Sequence, residues 1–448
     1  MRQEYRLEAL NLQHIGPFED MKIHFKPRPN NDNKAEVHIF TGPNGCGKST
    51  ILYAIAGIFA ESIDETPLQS RIMDQSRCRY RFNLEEESDG EIGQNPSQDF
   101  SFAKVYEDIV NGKAELWQDV IISNISQYKK RHNNIAPSSP SNRDTLAFAV
   151  FAYSGNRSLE DTRINYVQPI NCSPFENALS FSKTIRPQVL MQWIANNRTQ
   201  SALAKAENDR SAAEKYDRAL QRISDLIFEI SETRIEFKLI REPLSVVISV
   251  NNTTIGFDGL PDGLKSIISW VADLTLRLEA IPWASAAAPF EQPIILLLDE
   301  IDIHLHPKWQ RRVLPAVQKL LPNAQIFVST HSPFVIGSVE DAWVYPLPES
   351  GSQNGPYEVE GISSGAGKSY RLILAEVFGL DGEFDITTEK LFLDFYEERK
   401  RFLEQKDSPD ALLRLAEQLS QRGEETQQII GRELRQLHRL SGKELRLA

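Results

Sequence analysis

Cysteine is scarce in this chain. Cys46, Cys78 and Cys172 are the only three in 448 residues, too few and too scattered for a disulfide framework. No cysteine–histidine spacing suggests a zinc site. Long apolar runs are missing as well. No stretch of about eighteen apolar residues occurs, which excludes a helical membrane span. The opening Met1–Tyr5 leads straight into an alternating segment and carries no secretory pattern. A surplus of positive charge is also lacking. The formal net charge is −12, so a uniformly basic coat for nucleic acid is excluded, although a local patch is not. A reducing, cytoplasmic setting without a membrane partner is therefore expected. The length accommodates two or three domain-sized units.

What is present is a phosphate loop. Gly42-Pro43-Asn44-Gly45-Cys46-Gly47-Lys48-Ser49, with Thr50 behind it, meets the pattern G-x-x-x-x-G-K-[ST] at every required position. Glu36–Thr41 before it reads as a buried strand, and Ile51–Phe59 after it as an apolar helix. In that context the glycines let backbone N–H groups surround an anion, and the helix N-terminus adds its positive dipole end. Lys48 is expected on the β- and γ-phosphates of a nucleoside triphosphate, and the Ser49 hydroxyl on Mg²⁺.

Before the loop, residues 1–41 read as three strands, with a turn at His14–Phe18. After the first helix, residues 62–145 turn polar and read as an inserted lobe of short strands and loops. It contains the acidic stretch Leu84–Gly90, the basic run Lys129–His132 and a proline- and serine-rich end near Pro140. Leu146–Tyr153 returns to a buried-strand pattern, and the polar Ser154–Arg157 follows it. Residues 186–230 are expected to be a helical insertion, with a seam of Tyr216, Leu220, Ile223, Ile227 and Ile230. That seam lasts about two heptads, too short for a long coiled-coil arm. Ile235–Leu239 and Leu244–Val250 read as a strand pair. Residues 384–448 are expected to form a charged helical region. Within it Arg432, Arg435, Arg439, Lys443 and Arg446 recur at helical steps, interrupted at Gly442.

Hydrolysis of a nucleotide needs more than a cradle. Ile294–Leu298 is a wholly apolar strand ending in Asp299 and Glu300. Asp299 is the expected partner of Mg²⁺, and Glu300 is placed to deprotonate water. Ile326–His331 is another buried strand, and His331 at its end is a candidate for the γ-phosphate. Alternating strands and helices of this kind imply an α/β sheet with ligands at the strand C-termini. His304 and His306 lack a third ligand of clear spacing for a metal site.

Together, Gly42–Ser49, Ile294–Glu300 with Asp302–Pro307, and Ser329–Pro333 resemble the ABC-type ATPase heads, in particular the branch of RecF, the SMC proteins and the OLD nucleases. The opening Asn11–Phe18 is similar to the opening of those heads. The resemblance covers roughly 1–60 and 235–380. It implies an ATPase head assembled from 1–61, 146–185 and 231–383, carrying the polar lobe, the helical insertion and the helical C-terminal region. It also implies ATP and Mg²⁺ as ligands. In such heads a signature motif completes the site of a second subunit. Its counterpart here is Leu260–Ser266, with Asp262, Gly263 and Lys265 as candidate contacts and Pro261 where the family usually has serine. A head-to-tail homodimer or larger homo-oligomer with ATP between chains is thereby implied.

The SMC coiled coil and the Toprim strands of the OLD nucleases have no counterpart in this sequence. The layout resembles the ATPase subunits of two-gene anti-phage systems such as Septu and PARIS, which work with a separate nuclease. A nuclease effector subunit is therefore an expected partner. The alternative from the same branch is a RecF-like clamp on duplex DNA.

Overall fold

The computed structural model describes residues 5–28, 34–60, 65–83, 98–100, 145–155, 164, 166–351, 355–364, 369–379, 382, 384–405, 408–442 and 445. The Leu84–Gly90 and Lys129–His132 runs, Asn156, Arg157, Lys443 and Arg446 lie outside them. The chain divides into two units, residues 1–373 and 374–448.

The first unit is a mixed α/β structure, and a parallel sheet organises it. Its strands are β3 (Glu36–Thr41), β6 (Ala149–Tyr153), β10 (Ile294–Leu298), β11 (Ala324–Ser329), β12 (Trp343–Pro346) and β14 (Ile362–Ser363), in the order β14-β12-β3-β11-β10-β6. All neighbours run parallel except β14 against β12. Every residue of β3, β6, β10 and β11 is buried, as strands covered on both faces require. Asp299, the loop after β3 and His331 therefore emerge from the same rim of the sheet. The central position of β11 brings its end between the other two.

An antiparallel sheet is built from β1 (Arg6–Ile15), β2 (Phe18–His24), β4 (Ile72–Asn83) and β5 (Gln98–Phe100). The edge strand β13 (Tyr357–Val359) pairs in parallel with β2. This corrects one expectation. Composition groups residues 72–83 with the inserted lobe, yet they pair with β1 along nearly its whole length. Cys78, Tyr80 and Phe82 alternate inward, and hydrogen bonds to β1 hold Arg77, Arg79 and Arg81 in the same ladder.

Helix α1 (Lys48–Phe59) packs on β6, β10 and β11, and its last residue Phe59 meets the Phe82 ring of β4 at 5.4 Å. Both sheets thus share it. The expected helical insertion is two helices, α2 (Pro187–Ala206) and α3 (Arg210–Ser231), broken at Glu207–Asp209. Asp209 caps α3 by accepting from Ala212 N at 3.0 Å. The buried seam Leu220, Ile223, Ile227 and Ile230 packs α3 against α2, α4 (Asp262–Ala280) and α5 (Pro307–Leu320). Between α3 and α4 runs a three-stranded meander, β7 (Ile235–Arg241), β8 (Leu244–Val250) and β9 (Thr253–Ile255). The short helix α6 (Pro333–Ile336) follows β11, and α7 (Tyr370–Phe378) runs across the division between the units.

The second unit is helical. Its helices α8 (Ile386–Gln405), α9 (Asp410–Ser420) and α10 (Glu424–Ser441) enclose a core that includes Phe395, Leu412, Ala416, Leu419, Ile430 and Leu437. Gly442, at φ 68°, ends α10 in a left-handed cap.

Candidate functional site

Three glycines shape the loop between β3 and α1. Gly42, Gly45 and Gly47 have φ of 141°, 79° and 103°, which side chains disfavour. Space excludes a side chain as well: a Cβ on Gly42 would lie 2.6 Å from Leu347 O, and one on Gly47 2.2 Å from Phe18 Cζ. No side chain caps the first turn of α1. Its N–H groups stay available to an anion. Lys48 is buried, and its Nζ donates to Gly42 O at 3.0 Å and Pro43 O at 2.8 Å. The ammonium is thus folded over the loop it is expected to serve. Cys46 is buried within the loop, while Gly42 is half-buried and Pro43, Asn44 and Gly45 are exposed.

Ser49 and Thr50 part company. Ser49 Oγ donates to Asp299 Oδ1 at 3.0 Å, joining the loop to the end of β10. Thr50 is fully buried, accepts a hydrogen bond from Arg71, and lies where the bare Cα of Gly16 leaves room. The Arg71 guanidinium also stacks 4.9 Å from the Tyr53 ring.

Asp299 is the hub. Ser329 Oγ donates to its Oδ1 at 2.5 Å, and Tyr53 OH to its Oδ2 at 3.3 Å. Burial, and then the Asp299 charge, push the Tyr53 phenol up to about 12, so it stays a donor. Glu300 has φ 47°, and its N–H donates to Ser329 Oγ at 2.7 Å. Its side chain passes Gly155, where an added Cβ would lie 2.7 Å from Glu300 Cβ. Thr330 Oγ1 donates to Asp302 at 2.6 Å. His331 is half-buried. Burial, reinforced by the Lys48 charge and opposed by Asp302 and Asp299, lowers its pKa below the ordinary histidine value. The imidazole is therefore neutral at pH 7. Ser329, Tyr53 and Gly155 are the residues that sequence reasoning missed. Ser329 belongs to the Ser329–Pro333 motif and Gly155 to the polar Ser154–Arg157 stretch at a strand end, whereas nothing local marks Tyr53.

Asp262, Gly263 and Lys265 have different neighbours. They open α4, with Pro261 as its N-cap and no side-chain cap. A Cβ on Gly263 would lie 2.7 Å from His304 O and 2.9 Å from Trp309 Cζ3, so α4 begins against the turn that follows the acidic strand. Lys265 Nζ donates to Asp258 O at 3.3 Å. In that turn His306 Nδ1 accepts from Lys308 N at 3.2 Å and caps α5.

A family model described as "AAA domain, putative AbiEii toxin, Type IV TA system" matches residues 37–337, about two thirds of the chain. The chain belongs to this family. The matched span of the AAA domain includes the glycine loop, Asp299, Glu300 and His331. Among known proteins, "Retron Ec83 probable ATPase" of Escherichia coli is 31% identical over 147 residues, 33% of this chain. The chain spans only 27% of that relative's length. Septu protein PtuA of Bacillus thuringiensis is 24% identical over 393 residues, 84% of each protein. Among solved structures, an SMC head bound to the C-winged helix domain of ScpA aligns with a TM-score of 0.39 and 13% identity, over 80% of this chain and 97% of that one.

The residues of this AAA domain fit a magnesium nucleotide. The Ser49 hydroxyl and the Asp299 carboxylate present oxygen donors side by side at the mouth of a loop too tight for side chains. Among the described residues no group of three His, Cys, Asp or Glu could hold a metal by itself. Among the described residues, no helix is long and apolar enough to cross a membrane.

Proposed function

We propose that this AAA domain binds and hydrolyses ATP, that two copies close on it, and that it serves as the ATPase subunit of an anti-phage complex with a separate nuclease. The observation that carries the ATPase reading is the chain of hydrogen bonds Ser49–Asp299–Ser329–Glu300, which joins the loop, the acidic strand and the neighbouring strand end.

On this reading the loop amides and the Lys48 ammonium hold the phosphates, Lys48 exchanging two carbonyl partners for phosphate oxygens. Ser49 and Asp299 would hold Mg²⁺, which supplies positive charge against the charge developing on the phosphates. Ser329 pins one Asp299 oxygen, and the Ser329 bond to the Glu300 amide fixes the backbone from which the Glu300 carboxylate departs. Glu300 takes the proton of the attacking water. His331, neutral, donates an N–H to the γ-phosphate without adding charge to the site.

Closure by a second copy is supported by the uncapped start of α4, which carries Asp262, Gly263 and Lys265 beside the His304 turn. The defence role is supported by the PtuA likeness, which extends over 84% of both proteins.

The test compares wild type with Glu300→Gln by native mass and phosphate release. The variant should bind ATP normally, and its turnover should fall by about 10²–10⁴-fold, as loss of a general base does. ATP with Mg²⁺ should double the native mass of the variant. A mass that ATP leaves unchanged removes the shared site, and undiminished turnover removes Glu300 from its role. Co-purifying duplex DNA in place of a nuclease would favour a clamp instead.

A further inference from the structure

Helix α8 has two apolar faces. One includes the buried Phe392, Phe395 and Phe402 and belongs to the core of the second unit. The other is Ile386, Leu393, Tyr396 and Leu403, which are 87%, 67%, 40% and 38% exposed. Their spacings of seven, three and seven residues are those of a coiled-coil seam, with Ile386 and Leu393 at one type of seam position and Tyr396 and Leu403 at the other. Two charged residues complete the register, Glu389 and Lys400. Four large apolar groups in one line on a helix that already has a core face are unusual for a solvated surface.

The pattern says what covers it. Antiparallel seams pair the first type of position with the second. About a two-fold axis crossing α8 between Asp394 and Phe395, Ile386 falls on Leu403 of a second copy and Leu393 on Tyr396. The one polar step then places Lys400 opposite Glu389. On the solvent side of the seam Lys390 falls beside Glu397. Each apolar residue thus meets an apolar one, and each charge an opposite one. A parallel pair would instead set Lys400 on Lys400 and Glu389 on Glu389. Within one chain Glu389 and Lys400 are three turns apart and cannot pair along the helix.

We propose that α8 is a self-association surface, pairing antiparallel with α8 of a second copy of this chain. This contact does not involve the nucleotide site. An interface through the ATP site and one through α8 are independent, and together they would link copies into an assembly larger than a dimer.

The experiment measures the native mass of the full-length protein without nucleotide, across a concentration series, in a Lys48→Ala background that disables the phosphate loop. That background keeps the result separate from the ATP-closed dimer. The expected mass is twice that of the chain. Leu393→Glu should return it to the monomer while leaving the helical circular dichroism intact. Lys400→Glu alone, and Glu389→Lys alone, should each weaken the dimer at least tenfold. The double reversal Glu389→Lys/Lys400→Glu should recover most of that loss, because it restores opposite charges across the two-fold. Glu389 also accepts from Phe384 N at 3.3 Å, so the recovery, rather than the single loss, is the decisive reading. A monomer at every concentration, a dimer indifferent to Leu393→Glu, or a double reversal no better than the singles would each overturn the proposal.

Discussion

Arg277 lies on α4 with no exposure to solvent. Its Nε donates to Asp273 Oδ2 at 2.6 Å, and its two terminal nitrogens donate to the carbonyls of Pro174, Glu176 and Thr184. Tyr153 OH, at the end of β6, also donates to Asp273 at 3.0 Å. The guanidinium thus ties the irregular 174–184 segment to the strand beside Glu300. Replacing Arg277 with Met leaves Asp273 buried without its counter-charge, a change that costs about 3–5 kcal/mol. Urea unfolding should show that loss, and Asp273→Leu/Arg277→Met should recover most of it. At this scale the sequence showed Lys48, Ser49, Asp299 and Glu300 because each sits in a contiguous pattern. It did not show what Gly155 and Tyr53 meet, because their partners are distant in the chain: Glu300 for the first and Asp299 for the second.

Elements follow their apolar periodicity closely wherever a single face is buried. The α3 seam was readable for that reason, with Tyr216 at its half-buried edge. The break before α3 was not, because a helix stop is set by a few capping contacts and leaves the wider pattern intact. Asp209 supplies that contact through Ala212 N. Asp209→Ala should cost about 1 kcal/mol, read as a lowered melting midpoint, with Asp209→Ser close to wild type. Strand β4 shows the opposite failure. The alternation of Arg77, Arg79 and Arg81 with Cys78, Tyr80 and Phe82 was visible, but polar composition around it suggested a lobe. Pairing with β1 outweighs composition, because one buried face suffices for an antiparallel strand.

Across the whole first unit, a buried polar cluster joins the two sheets. Glu36 on β3 accepts from Arg6 of β1 at 2.7 Å and from Gln325 of β11 at 2.8 Å, and lies 2.6 Å from His38 Nε2. Burial alone would raise the Glu36 pKa. The bonds from His38 and Arg6, with the Arg6 charge, outweigh it and hold the carboxyl well below the usual range. Burial lowers His38, which Glu36 only partly opposes, so the ring is neutral at pH 7. Both signs run the same way. An unfolded histidine takes up a proton below about 6.5, which the buried ring resists, and an unfolded glutamate does so below about 4.5. Stability present at pH 7 should therefore fall on acidification through both ranges, towards the depressed folded values. A melting midpoint constant from pH 7 to pH 4 would contradict this linkage.

The phosphate loop, the acidic strand, the α/β class and the helical C-terminal region were determined by the sequence itself. Each depends on residues close together in the chain, where spacing alone dictates backbone shape and burial. Only the tertiary structure decided that β11 stands between β3 and β10, so that Ser329 holds Asp299 while binding the Glu300 amide. It likewise decided that β4 belongs to the first sheet and that α8 keeps a second apolar face in solvent. Strand order and exposure are set by which surfaces pack together across long sequence separations, and periodicity along one segment carries no record of its neighbours.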